Sequence, residues 1–218
     1  MTMIYILIFT FLHGFSFIFS KTYALSVGST GTAFAAVVVG VLLATALITP
    51  VSVVCRRHLM QKPPIDRPPV PETRLYGAMV AAPILPLSLF WLGWTNSPSI
   101  DVWSSRVACA FLGFALMGIF ESTYHYIIDS YETHVVTAMA AITFMRYFGS
   151  GMIVIADQSI YQALGVNWTM TMLGIIAVVL MPVPWVLWWK GEVIRRRSKF
   201  MAPLSLTLEE VFDRIPDD

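Results

Sequence analysis

Six apolar stretches, each close to the length of a membrane-crossing helix, occupy most of this sequence. They cover residues 3–19, 31–54, 75–94, 102–128, 135–158 and 168–189. A helix of roughly 20 apolar residues crosses the ~30 Å hydrocarbon core of a bilayer. Only 12% of the residues are charged, whereas a soluble domain averages about 25%. The chain is therefore predicted to be an all-α membrane protein with six transmembrane helices.

The basic residues indicate how these helices are oriented. Five Lys and Arg residues lie between the second and third stretches, and five more lie at 190–199, directly after the sixth. Cytoplasmic loops carry an excess of Lys and Arg, so both termini are expected in the cytoplasm, and the plasma membrane is the expected location. Residues 1–200 are predicted to form one six-span bundle, followed by a short cytoplasmic tail at 201–218.

Charged side chains interrupt the fourth and fifth stretches. An ionisable group at the bilayer centre costs ~2.5–3.5 kcal/mol on insertion scales, so it is expected to face protein or a water-filled cavity. At 100° per residue, four polar side chains of the fifth stretch fall within an arc of about 60°: Thr143, Arg146, Ser150 and Asp157. The fifth helix is thus predicted to have a polar side that faces away from lipid.

Three residues are the candidates for a substrate or proton pathway: His13, Glu121 and Arg146. Arg146 either lines a cavity and holds an anionic group, or locks two helices together through Glu121. Glu121 either exchanges a proton, as a carboxyl in low dielectric can, or is simply solvated near the membrane surface. His13 is either a proton relay or a polar contact within the bundle.

The motifs of common enzymes do not occur in this sequence. It contains no HExxH, GxSxG or Walker A pattern, and its four histidines lie in four different segments. We therefore expect no catalytic residues, no metal site and no cofactor, and no nucleic acid as a partner. The expected partners are the lipid bilayer and a small organic substrate.

Six short motifs in the expected order resemble a known family. They are PETRL at 71–75, FWLGWT at 90–95, YIIDSY at 126–131, FMR at 144–146, LGVNW at 164–168 and PVP at 182–184. With the basic tail, they resemble the C-terminal half of fungal major facilitator superfamily multidrug transporters of the drug:proton antiporter branch. The resemblance covers residues 3–200. The chain departs from the family in length, because the family has twelve spans and this chain has six.

The resemblance implies a fold of two three-helix inverted repeats, 3–94 and 102–189, that form one half of the bundle. It also implies that spans one and four line the transport cavity. The implied function is proton-coupled efflux of small organic compounds, such as drugs or a toxic secondary metabolite, without ATP. A lone half would be covered by a second six-helix half or by a second copy as a homodimer. The alternative function is a non-transporting membrane remnant, or a helper that associates with another membrane protein.

Overall fold

The computed structural model describes residues 2–16, 27–60, 74–95, 101–131 and 135–197, and these ranges are almost entirely helical, without a strand. The helices are α1 (Thr2–Ser16), α2 (Val27–Met60), α3 (Tyr76–Thr95), α4 (Val102–Tyr131), α5 (Val135–Leu180) and α6 (Val183–Arg197). Five helical segments are long and apolar enough to cross a membrane, and Thr2–Gly14 is a shorter apolar helix. The all-helical membrane fold predicted from the sequence is confirmed.

Gly165 divides α5 into two parts. Its φ of 74° lies in the left-handed region, which a residue without a Cβ adopts at little steric cost. The part before Gly165 packs against α1, and the part after it packs against α3, where Gly174 meets the ring of Phe90. The fifth and sixth predicted stretches fall on either side of this kink. The predicted tail at 201–218 and the last residues of the first stretch, 17–19, lie outside the described residues.

The backbones of α2 and α4 approach each other closely. A Cβ built on Gly40 would overlap the carbonyl oxygen of Ala110, and one built on Gly113 would overlap that of Val37. The two backbones are therefore in direct contact. Small residues of this kind allow close helix packing in membranes, where van der Waals contact has to replace the hydrophobic effect. Helix α4 lies between α2 and α3, while α1 packs against α5.

The outer surface of the bundle is apolar. Large exposed side chains run along α2, among them Val38, Leu42 and Leu47. Each of the seven tryptophans is exposed, and the indole ring is the side chain best suited to the boundary between lipid and water. This distribution is the one expected of a protein solvated by lipid tails on its sides and by water at its ends.

Candidate functional site

The polar side of α5 faces α1 inside the bundle. Arg146 is only 5% exposed and Asp157 is 0% exposed, and Ser150 between them is also buried. The remaining circumference of the same segment exposes large apolar side chains: Phe144, Met145, Phe148, Met152 and Ile155. Of the predicted polar stripe, Arg146, Ser150 and Asp157 are buried against the chain itself, while Thr143 is partly exposed.

Aromatic rings surround the guanidinium of Arg146. Its central carbon lies 3.9 Å from the ring centroid of Tyr5, 5.3 Å from that of Tyr147 and 5.8 Å from that of Phe120. The Tyr5 ring meets Tyr147 edge to face, with centroids 5.9 Å apart. Aromatic rings from α1, α4 and α5 thus surround one cation, and the negative faces of the rings attract its charge.

Part of the hydrogen-bonding capacity of Arg146 is unused. The Nε and Nη1 atoms are buried and have no hydrogen-bond partner among the described residues. A guanidinium offers five N–H donors, and a buried donor without a partner costs free energy. The guanidinium therefore retains the capacity to bind an anionic oxygen.

The ion pair between Arg146 and Glu121, one of the two interpretations of Arg146, is not formed. Within the described ranges the ion pairs are Arg74 with Asp129, at 2.9 Å, and His125 with Glu121, at 4.0 Å. Arg146 is instead held by rings, so its contact across helices is aromatic rather than ionic.

Glu121 belongs to the interface between α2 and α4. The hydroxyl of Thr49 donates a hydrogen bond of 2.5 Å to its Oε1. Its Oε2 is buried and has no hydrogen-bond partner in the described part of the chain. The side chain is 13% exposed, so Glu121 is largely withdrawn from solvent and keeps one carboxylate oxygen available.

A second polar group lies where α1 meets the later turns of the first part of α5. Both carboxylate oxygens of Asp157 and the Oγ1 atom of Thr10 are buried without a hydrogen-bond partner among the described residues. His13, three residues after Thr10 on α1, has an exposed side chain. The Tyr161 hydroxyl donates a hydrogen bond of 3.1 Å to the backbone oxygen of Thr10, which joins the two helices at this level.

The three residues singled out from the sequence thus lie in three different surroundings. Arg146 is in the aromatic cluster, Glu121 is at the α2–α4 interface, and His13 is exposed on α1. Sequence reasoning placed Asp157 on the polar stripe without naming it as a site residue, although an acid inside an apolar run was a usable signal. Tyr5 carried no such signal, because its role depends on a helix far away in the sequence.

Two concave surfaces adjoin the aromatic cluster: one on α5 that includes Tyr147, and a second between helices. The second is a groove of about 200 Å³ between α1, α2 and α4, lined by Tyr5, Ile8, Val37, Val41, Gly113, Leu116, Met117 and Phe120. Tyr5 and Phe120 both line this groove and contact Arg146. Over the described ranges, no group of three His, Cys, Asp or Glu residues is placed to hold a metal ion.

The chain is similar to several fungal transporters. It is 42% identical over 200 residues to the MFS-type transporter kojT of Aspergillus flavus and 35% identical over 200 residues to the uncharacterized transporter mfs2 of Schizosaccharomyces pombe; each match covers 91% of this chain and 36% of the relative. It is 33% identical to the citrinin biosynthesis cluster MFS transporter ctnC of Monascus purpureus, over 80% of this chain and 33% of the relative.

No family model and no solved structure matches the chain. The chain spans about a third of the length of the curated relatives it matches. Its helices and these relatives together identify an integral multi-pass membrane protein that is homologous, over nine-tenths of its length, to fungal MFS-type transporters.

Proposed function

We propose that the chain forms one six-helix half, the C-terminal one, of a major facilitator superfamily transporter that exports small organic compounds in exchange for protons. The observation that carries this proposal is the buried guanidinium of Arg146, which keeps two unpartnered nitrogen atoms beside an apolar groove. Intramembrane ionisable groups mark substrate and ion pathways. The name of the Monascus relative, which refers to a biosynthesis cluster, supports a secondary metabolite as the exported compound.

The substrate class is a small amphipathic organic anion. Ligand sites are mostly apolar and contain a few polar groups that fix orientation, and the groove supplies the apolar part. A guanidinium pairs with carboxylate oxygens through charge-assisted hydrogen bonds. The ring of Tyr5 lines the groove and also lies over the guanidinium of Arg146, so it lies between the two. A change in the side-chain rotamer of Tyr5 exposes the guanidinium to the substrate.

In this proposal the chain acts in the plasma membrane. The distribution of Lys and Arg supports a cytoplasmic position of both termini. Transporters of this class rock one six-helix bundle against another around a site near the midplane. A second six-helix half, or a second copy of this chain, supplies the opposite wall. The exposed His13 side chain and the largely buried Glu121 remain candidates for the proton pathway.

The test is transport by the full chain in proteoliposomes under an imposed proton gradient, with carboxyfluorescein as the anionic probe and rhodamine 6G as the cationic one. The variant Arg146→Met should lose gradient-driven movement of carboxyfluorescein. The matched control is Arg106→Met, because Arg106 also lies over an aromatic ring, 4.8 Å from that of Trp103, but near the start of α4. This control should keep the activity.

Two results would contradict the proposal. Equal loss in both Arg variants would mean that Arg146 has no special relation to the substrate. Absence of gradient-driven movement of either probe by correctly inserted wild-type protein, alone and with a second half supplied, would favour a non-transporting membrane protein that associates with another.

A further inference from the structure

We infer that Arg146 anchors the charged group of a ligand that has two apolar parts, one in the groove between α1, α2 and α4 and the other in the concave surface on α5. This inference rests on the proposed function, because that function places an organic anion at Arg146, and it adds the shape of the anion. It also assigns a role to Tyr147, whose ring determines how bulky the part on the α5 side can be.

The concave surface on α5 is the larger of the two and is built by successive turns of one helix. Its volume is about 600 Å³, and it is lined by Met139, Ala140, Thr143, Phe144, Tyr147 and Phe148. Residues four apart lie on the same face of a helix. The rings of Phe144 and Phe148 are stacked, with centroids 6.1 Å apart and planes at 13°. Flat apolar groups of a ligand can therefore pack on this surface.

Two tyrosine rings separate this surface from the groove. Tyr147 lines the concave surface on α5, and its ring centroid lies 5.3 Å from the central carbon of Arg146. Tyr5 lines the groove, and its ring centroid lies 3.9 Å from the same carbon. The two rings meet edge to face, with centroids 5.9 Å apart. They form one aromatic partition, and the guanidinium lies against both of its rings.

The guanidinium determines the charge of the ligand. Arg146 is 5% exposed, and its Nε and Nη1 atoms have no hydrogen-bond partner among the described residues. A buried donor without a partner costs free energy, and a carboxylate or sulfonate oxygen removes that cost through a charge-assisted hydrogen bond. A ligand whose anionic group reaches Arg146 at the partition has an apolar surface on each side of its charge.

The two volumes determine the relative size of the apolar parts. An apolar cavity of about 150 Å³ holds a benzene ring, so the groove of about 200 Å³ suits a single ring or a short alkyl chain. The concave surface on α5, at about 600 Å³, accepts a larger group. Tyr147 lies between that larger group and the guanidinium, and a smaller side chain at this position brings the two closer together.

Binding to the purified full chain in nanodiscs, measured by titration calorimetry against empty nanodiscs, tests the two-part site. The probes are N-phenylanthranilate, which has a carboxylate and two rings; benzoate, which has one ring; and diphenylamine, which lacks the carboxylate. Wild type should bind N-phenylanthranilate about tenfold more tightly than either of the others, because the second ring and the charge each add affinity. Arg146→Met should bind N-phenylanthranilate and diphenylamine equally. Equal affinity of wild type for N-phenylanthranilate and benzoate would overturn the inference.

A second pair of variants tests the concave surface on α5 itself. Ala140→Trp fills it from an exposed position, and the matched control Ala141→Trp changes an exposed neighbour that does not line it. Ala140→Trp should weaken N-phenylanthranilate binding about tenfold and leave benzoate binding unchanged, because benzoate occupies only the groove. The control should bind both probes as wild type does. Equal affinities of the two variants for N-phenylanthranilate would overturn the inference.

The size limit at Tyr147 is measured as a ratio of affinities. Tyr147→Ala should shift the preference between N-naphthylanthranilate and N-phenylanthranilate by about threefold or more towards the bulkier probe. Tyr147→Phe, which retains the ring, should keep the wild-type ratio, and so should Met145→Ala, which changes an exposed side chain outside the concave surface. An unchanged ratio in Tyr147→Ala would refute the role of Tyr147. If wild type moves no carboxyfluorescein in proteoliposomes, the proposed export fails, while these affinities still decide the two-part site.

Discussion

The guanidinium of Arg146 lies 3.9 Å from the ring centroid of Tyr5, across the interface between α1 and α5. The two residues are 141 positions apart in the sequence, yet they form the contact that holds the buried cation. Desolvated cation–π contacts contribute about 2 kcal/mol or more. A cation at membrane depth is thus stabilised without a carboxylate, and its hydrogen-bond donors stay available for a ligand.

Two replacements of Tyr5 should therefore separate the contribution of its ring to stability from that of its hydroxyl. We expect Tyr5→Leu to lower the free energy of unfolding in detergent micelles by about 1–2 kcal/mol, because the guanidinium loses its aromatic partner. Tyr5→Phe keeps the ring and should change stability by less than about 0.5 kcal/mol. Equal losses in the two variants would show that the ring face does not support Arg146.

The close contact between α2 and α4 gives a second prediction. Gly113→Ala should destabilise the bundle by about 1–3 kcal/mol, because the new methyl group overlaps the carbonyl oxygen of Val37 and forces the backbones apart. The matched control is Gly151→Ala, since a Cβ there meets nothing within 4 Å. This control should be neutral or stabilising by up to about 1 kcal/mol, as Ala favours helix. Unfolding in micelles, followed by circular dichroism, measures both changes; similar values for the two variants would refute the prediction.

The hydrogen bond from Thr49 to Glu121 gives a third prediction. Thr49→Val keeps the shape of the side chain but removes the 2.5 Å donor to the carboxylate, and hydrogen bonds to charged groups contribute about 1.5–3 kcal/mol. We expect a loss of stability of that size. Thr45→Val, one turn earlier, removes a bond to the Val41 oxygen of the same helix on an exposed side and should change stability by less than about 0.5 kcal/mol. The measurement is equilibrium unfolding of both variants, and a smaller loss in Thr49→Val than in Thr45→Val would count against a buried carboxylate at Glu121.

Much of the architecture follows from the sequence alone. Apolar length decides which segments cross a bilayer, because every backbone polar group in lipid has to be bonded within its own helix. In the structure α4 begins at Val102 and α5 at Val135. Helical periodicity also identified the side of α5 that is buried, since a period of 3.6 residues places Arg146, Ser150 and Asp157 on one face.

The neighbours of that face were decided only by the tertiary structure. Periodicity shows which side of a helix is polar, but it contains no information about which other helix will cover it. Contacts such as Arg146 with Tyr5, Glu121 with Thr49, and Tyr161 with Thr10 join residues more than seventy positions apart. They depend on how closely the backbones approach, as at Gly40 and Gly113, and on the kink at Gly165 that lets the two parts of α5 meet different helices. The polarity of each helix is thus a local property of the sequence, whereas the pairing of the buried charges results from the packing of the whole bundle.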